Sequence, residues 1–154
     1  MEKSWTFTNE HQGIADRLII KCGVSKAVKR EELENGIPHP TVVSCCALWD
    51  TGASISAISI GMVRQLGLQS VCKGDFVTAE GKTEFDMYAV NLVIPEMGME
   101  FPDMIVTAVD VDVDFIVGMD IISKGDMAVS NYKGNTVLSF RIPSRQTIDF
   151  NNEK

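Results

Sequence analysis

The sequence predicts an all-β fold on three observations. Short apolar, β-branched runs alternate with Gly, Pro, Asn and Asp along most of the chain, the texture of many short strands joined by turns. Around Tyr88, Val90, Leu92 and Ile94 the apolar residues recur at every second position, the period of a strand with one buried face. Helical periodicity is scarce and stands out only in residues 59–68. With 154 residues, 45% of them hydrophobic, the chain can bury one sizeable core, so a single domain is expected.

Taken in order, strands are expected at residues 5–8, 18–22, 41–49, 75–78, 85–94, 103–109, 115–117, 127–130 and 136–141. Residues 1–17 read as an N-terminal extension or strand, 18–142 as the folded domain, and 143–154 as a tail whose polar residues 146–154 can fray. The densest positive patch, Lys26 to Arg30, runs directly into Glu31, Glu32 and Glu34, and reads as a solvated charged turn. In residues 59–68, Ser59 can cap a helix whose face is Ile60, Val63 and Leu66, and Gly67 sits where it would stop. A second short helix is expected over 120–124, ending at Gly125. No internal repeat, low-complexity tract or linker separates two cores.

A formal net charge of −7 argues against a nucleic-acid or anionic-membrane partner, because both select clustered Lys and Arg. No apolar run of signal-peptide length follows Lys3, and none elsewhere is long enough to span a bilayer, so a soluble cytoplasmic protein is expected. The four cysteines, Cys22, Cys45, Cys46 and Cys72, lack C-x-x-C spacing. They read as buried free thiols, with Cys45 and Cys46 on opposite faces of a strand.

The chemistry concentrates where the apolar strand 41–49 runs into Asp50-Thr51-Gly52-Ala53-Ser54. A carboxylate at the end of a buried strand is penalised by desolvation unless partners compensate, and such polar groups more often serve function than packing. Gly52 allows another backbone to approach closely, and Thr51 and Ser54 bring hydroxyls that can fix the loop. By itself, a given tripeptide of such common residues arises by chance with a probability of roughly a few per cent in a chain of this length. An Asx-turn, in which Asp50 caps its own loop, is the other reading.

Leu48-Trp49-Asp50-Thr51-Gly52-Ala53-Ser54, followed later by Phe115-Ile116-Val117-Gly118-Met119-Asp120, resembles the retroviral-type (retropepsin-like) aspartic proteases. The resemblance implies a closed-barrel acid protease fold with one or two short helices over residues 18–142. It makes Asp50 the catalytic residue, with Thr51, Gly52, Ala53 and Ser54 as its supporting loop. Ile116, Val117 and Gly118 would pass beside that loop and lead into a short helix. Thr78, Ala79, Glu80, Gly81 and Lys82 resemble the flap hairpin that closes over substrate, with Glu80-Gly81 near its tip.

The chain has one Asp-Thr-Gly and about half the length of a two-lobed relative, so the resemblance implies a homodimer in which each copy supplies one Asp. Two carboxylates held about 3 Å apart cannot both ionise and so share one proton. One would then activate a water against the scissile carbonyl while the other donates a hydrogen bond to the carbonyl oxygen. The implied function is aspartic endopeptidase action on an extended peptide or protein substrate, without metal or cofactor. Ala53 stands where two-lobed relatives carry a hydroxyl, which implies a mildly rather than strongly acidic optimum. Trp49 is bulkier than the usual aliphatic residue, and the segment before Leu18 has no counterpart, so the terminal strands are expected to pair unlike those of the viral enzymes. The alternative is a non-proteolytic dimeric module of the same fold that holds peptides by strand addition.

Other constellations are weaker. Asp110, Asp112 and Asp114 have the spacing that opens a calcium loop, but Phe115 and Ile121 occupy the places of its Gly and Glu, so the acids read as the exposed face of a strand edge. The two histidines, His11 and His39, lack a Cys or His at metal-ligand spacing and read as surface residues. A nucleophilic pair of Cys45 or Cys46 with either His stays open, since such partners meet in space rather than in order. No phosphate-binding glycine motif occurs.

Overall fold

Strand after strand shows the burial alternation that the period-two pattern requires, most cleanly over Thr136–Ile142, where every second residue is buried. The computed structural model describes residues 3–152; residues 1, 2, 153 and 154, the outermost parts of the two terminal segments, lie outside the described residues. In chain order the elements are β1 Trp5–His11, β2 Ile19–Lys26, α1 Arg30–Glu34, β3 Val43–Trp49, β4 Ala57–Ser59, α2 Ile60–Leu66, β5 Cys72–Thr78, β6 Gly81–Ile94, β7 Met99–Val109, β8 Phe115–Val117, α3 Met119–Ile122, β9 Asp126–Ser130 and β10 Thr136–Ile142. The all-β expectation holds.

The larger sheet runs β2-β3-β8-β4-β7-β6-β5, and β6 pairs back onto β2. This joins β2, β3, β8, β4, β7 and β6 into a closed ring, with β5 hanging outside it on β6. β6 serves both roles through its length of 14 residues. Residues 81–86 pair with β5 alone, Met87 with both β5 and β7, and the rest lies between β7 and β2. Val24, Ala47, Ile58, Val90, Val106, Phe115 and Val117, all 0% exposed, fill the interior. Removing this apolar surface from water is the main drive for closing the ring. An extra residue on β7 opposite Val90–Leu92 makes a bulge, where Asp103 takes a φ of 52° and its N–H donates to Asn91 Oδ1 at 2.8 Å.

The second sheet, β1-β10-β9, puts the N-terminal strand in the support of the site. Trp49, the last residue of β3, stacks edge-to-face on Phe7 of β1 at 5.3 Å and on Phe140 of β10 at 4.9 Å. Such pairs add about 0.5–1.5 kcal/mol each beyond the area they bury.

Several local expectations need correction. The charged residues Lys26, Lys29 and Arg30 are exposed as expected, but the acids that follow form a helix the sequence reading lacked, α1, where Glu32 accepts from the Lys29 N–H at 3.0 Å and Glu34 pairs with Arg30 Nε at 3.1 Å one turn away. In α2, Ser59 caps as expected, accepting from the Met62 N–H at 3.1 Å, and Gly67 closes the helix at φ 60°. The buried face is Met62 and Leu66, however, with Val63 half-buried against the core and Ile60, at the first position, 36% exposed. α3 starts one residue earlier than expected and ends at Ile122. β4 was not expected at all, being three residues in a run that reads as loop.

Only two of the four thiols are buried: Cys22 and Cys45 face each other inside β2–β3, whereas Cys46 and Cys72 are exposed. The acids at 110–114 occupy a loop, not a strand edge. There Asp112 makes a two-pronged pair with Arg17 at 2.9 Å, and Asp114 accepts from the Cys46 N–H at 2.8 Å. Of the histidines, His39 is exposed as expected, with Nε2 on Glu100 at 2.9 Å, while His11 is half-buried with Nε2 against the Ile19 carbonyl at 3.2 Å; neither hydrogen-bonds a cysteine. The start of the tail is tied to β9: the Asp126 carboxylate accepts from Ser144 Oγ at 2.5 Å and the Arg145 N–H at 2.8 Å. Among the described residues no three acidic, Cys or His side chains gather as a metal set, and no helix is long and apolar enough to cross a membrane.

Candidate active site

β3 and β4 are consecutive in the sequence but not adjacent in the sheet. β8 lies between them, parallel to β3 and antiparallel to β4. The connection, residues 50–56, must therefore cross the end of β8, and this crossing carries Asp50. Hydrogen bonds fasten it at both ends: the Asp50 N–H donates to the Val117 carbonyl at 3.0 Å, and the Met119 N–H donates to the Ala53 carbonyl at 2.8 Å. The two sequence motifs, residues 50–54 and 116–118, are thus brought together.

Gly118 is where the crossing is tightest. A Cβ there would lie 2.7 Å from the Ile55 carbonyl carbon and 2.8 Å from the Ala53 oxygen, both backbone atoms that cannot swing aside. Its φ of −98° is open to any residue, so space and not conformation demands glycine. Behind the crossing, the fully buried Ser56 hydroxyl donates to Asp120 Oδ1 at 2.7 Å and accepts from the Gly118 N–H at 3.1 Å. Asp120 Oδ1 also accepts from the Ile121 N–H at 3.1 Å, which fixes the first turn of α3. Ser56 had no assigned role in the sequence reading. The available signal was a lone hydroxyl inside the apolar run Ile55-Ser56-Ala57-Ile58, where a buried polar atom requires partners.

Asp50 itself is half-buried. Its Oδ1 accepts from the Gly52 N–H at 2.8 Å, the Asx contact offered above as the other reading. The two readings coexist, because this bond uses one oxygen and orients the carboxylate. Among the described residues Oδ2 has no hydrogen-bond partner. Thr51, Gly52 and Ser54 are exposed and Ala53 half-buried, so in the single chain the loop lies open to a partner on one side. Asp50 and Thr51 edge a groove of about 430 Å³ whose other walls include Leu18, Leu48, Met127 and Val129.

The hairpin singled out in the sequence is formed by β5 and β6. Thr78 pairs with Gly81, so the tip is Ala79-Glu80, and Gly81 takes a φ of 120° that a Cβ would resist. Lys82 turns to Asp75 of the same hairpin at 2.6 Å. At its base Phe76 and Phe85 stack edge-to-face at 5.3 Å and, with Thr107 and Val109 of β7, wall an apolar hollow of about 210 Å³. Thr107 pairs with Ala57, just past the exit of the Asp50 crossing, so the hollow lies between the hairpin and the site. The sequence did not reveal it, because its walls come from three strands.

A crystal structure of a retropepsin-like aspartic protease from Rickettsia conorii matches over 92% of this chain and 97% of that one, with a TM-score of 0.52 and 17% identity. The chain has the retropepsin-like fold. The solution structure of simian foamy virus (mac) protease also aligns, over 52% of this chain and 81% of that one, with a TM-score of 0.41 and 18% identity. No protein-family model and no curated protein matches the sequence.

Proposed function

We propose that the chain is one subunit of a homodimeric aspartic endopeptidase, with Asp50 supplying half of the catalytic pair. The observation that carries this reading is the crossing itself: Asp50 is oriented by the Gly52 N–H, anchored by Val117, and left with an unpartnered carboxylate oxygen beside a groove. A fold this size has one such Asp, so a second copy must bring the other. In the dimer the paired carboxylates share a proton, and the ionised one takes a proton from a bound water as that water attacks the scissile carbonyl. The protonated one donates a hydrogen bond to the carbonyl oxygen and stabilises the tetrahedral intermediate. The β5–β6 hairpin of each copy supports closure over an extended peptide, which would exclude bulk water from the site.

The test is a peptide-library cleavage assay on the purified protein across mildly acidic to neutral pH, wild type against Asp50→Asn, with the oligomeric state measured alongside. Wild-type cleavage that falls by at least about 1000-fold in Asp50→Asn, at unchanged oligomeric state, is the expected result. A dimeric wild type that cleaves nothing overturns the reading in favour of a peptide-binding module.

A further inference from the structure

We infer that Ser56 and Asp120 are positioning residues for Asp50, acting on it through a single peptide group at the junction of β8 and α3. This rests on the protease reading above and adds how the carboxylate is aimed. The peptide group between Val117 and Gly118 is bonded at both of its polar ends. Its C=O accepts from the Asp50 N–H at 3.0 Å, and its N–H donates to Ser56 Oγ at 3.1 Å. The Ser56 hydroxyl donates in turn to Asp120 Oδ1 at 2.7 Å. These links make one chain in which every donor points the same way, from the Asp50 backbone to the Asp120 carboxylate.

The common direction is what gives the chain its effect. A carboxylate at the accepting end polarises each link, so the bonds strengthen one another. The last link, an O–H on a carboxylate, is of the charge-assisted kind, roughly twice as strong as a neutral bond. Burial keeps the middle of the chain in a medium where such bonds count: Ser56 is 0% exposed, and Gly118 is packed against the backbone of residues 53 and 55. At the far end, Asp120 Oδ1 is also held by the Ile121 N–H at 3.1 Å, which anchors the chain in α3. At the near end, the Asp50 N–H fixes the backbone of the residue whose carboxylate the Gly52 N–H then orients. A tilt of the Val117–Gly118 peptide is therefore passed to Asp50, whereas the groove walls Leu18, Leu48, Met127 and Val129 take no part in the chain. Its loss should slow the chemical step and leave peptide binding in place.

The test is amide hydrogen exchange read by NMR, with the Trp49 N–H, which donates to the Leu18 carbonyl on the other side at 2.8 Å, as the internal comparison. In Ser56→Ala and Asp120→Ala the Asp50 amide is expected to exchange at least about tenfold faster while the Trp49 amide keeps its wild-type rate. Ser56→Thr, which retains the hydroxyl, is expected to restore protection. In the cleavage assay kcat should fall at least about tenfold in the two alanine variants, with KM held within about twofold. Asp120→Asn keeps an acceptor oxygen and drops the charge, so it should speed the Asp50 amide by about threefold, and it decides alone if the alanine variants fail to fold. Equal acceleration of the Asp50 and Trp49 amides, an Asp50 amide that keeps its wild-type rate in Asp120→Asn, or a Ser56→Ala protein that cleaves with unchanged kcat overturns the inference, since the pair would then support the fold and not the carboxylate. A wild type that cleaves no peptide sinks the protease reading instead, and the two amides still decide the inference.

Discussion

The Asp50 crossing and the β5–β6 hairpin are the two regions on which the proposed chemistry depends, and they are held in opposite ways. The crossing is bound from several sides: Val117 and Ala53 close its backbone onto β8 and α3, Ser56 and Asp120 brace it from behind, and Gly118 leaves it no room to shift. The outer part of the hairpin pairs strand to strand within itself, with Val77 87% exposed and Lys82 turned back onto Asp75. A carboxylate that must meet its mate within a fraction of an ångström needs the first kind of support. A flap that must open for a peptide needs the second, because a segment with few buried contacts opens at low free-energy cost.

The largest effect is expected from Gly118→Ala, which drives a methyl into the Ile55 and Ala53 backbone. Thermal or chemical denaturation should show a loss of about 3 kcal/mol or more. A fully stable Gly118→Ala protein would mean that the crossing is as compliant as the hairpin, and the contrast between them would collapse. A smaller effect is expected from Phe85→Ala. It removes an edge-to-face partner worth roughly 0.5–1.5 kcal/mol and one wall of the apolar hollow. Cleavage efficiency should drop about tenfold while the melting temperature moves little, and a large stability loss would place the hairpin base in the global core.

Thiol labelling sharpens the comparison without perturbing the fold. Cys72 on β5 and the exposed Cys46 should react promptly with a maleimide at pH 8, while Cys22 and Cys45 should not. Burial raises the Cys22 thiol to about 12 and the Cys45 thiol further still. The thiolate of these two is therefore scarce well above neutrality, and moving from pH 7 to 9 should leave the buried pair protected. Rapid labelling of all four would mean that β2–β3, which carries the crossing, opens as readily as the hairpin.

Much of the architecture was legible because it is periodic. Alternation marked the strands, Ser59 and Gly67 bracketed α2, and the two glycine-bearing motifs pointed to each other across the chain. The readings that failed turned on contacts of single residues. α1 depends on one Glu32 contact to a backbone N–H, and β4 is too short to show a period. Ser56 could be suspected from its apolar neighbours, but nothing local identifies Asp120, 64 residues later, as its partner.

By itself the sequence determined the all-β class, the likeness to a family and the single Asp-Thr-Gly on which the proposal of a shared site rests, since these reside in local pattern and in a count. Tertiary structure alone decided that β8 would slip between β3 and β4, that β1 would occupy the far edge of β10, and that β9 would be left open beside Asp50. Strand order is set by which apolar faces can be covered together, a property of the closed sheet that no stretch of chain carries on its own.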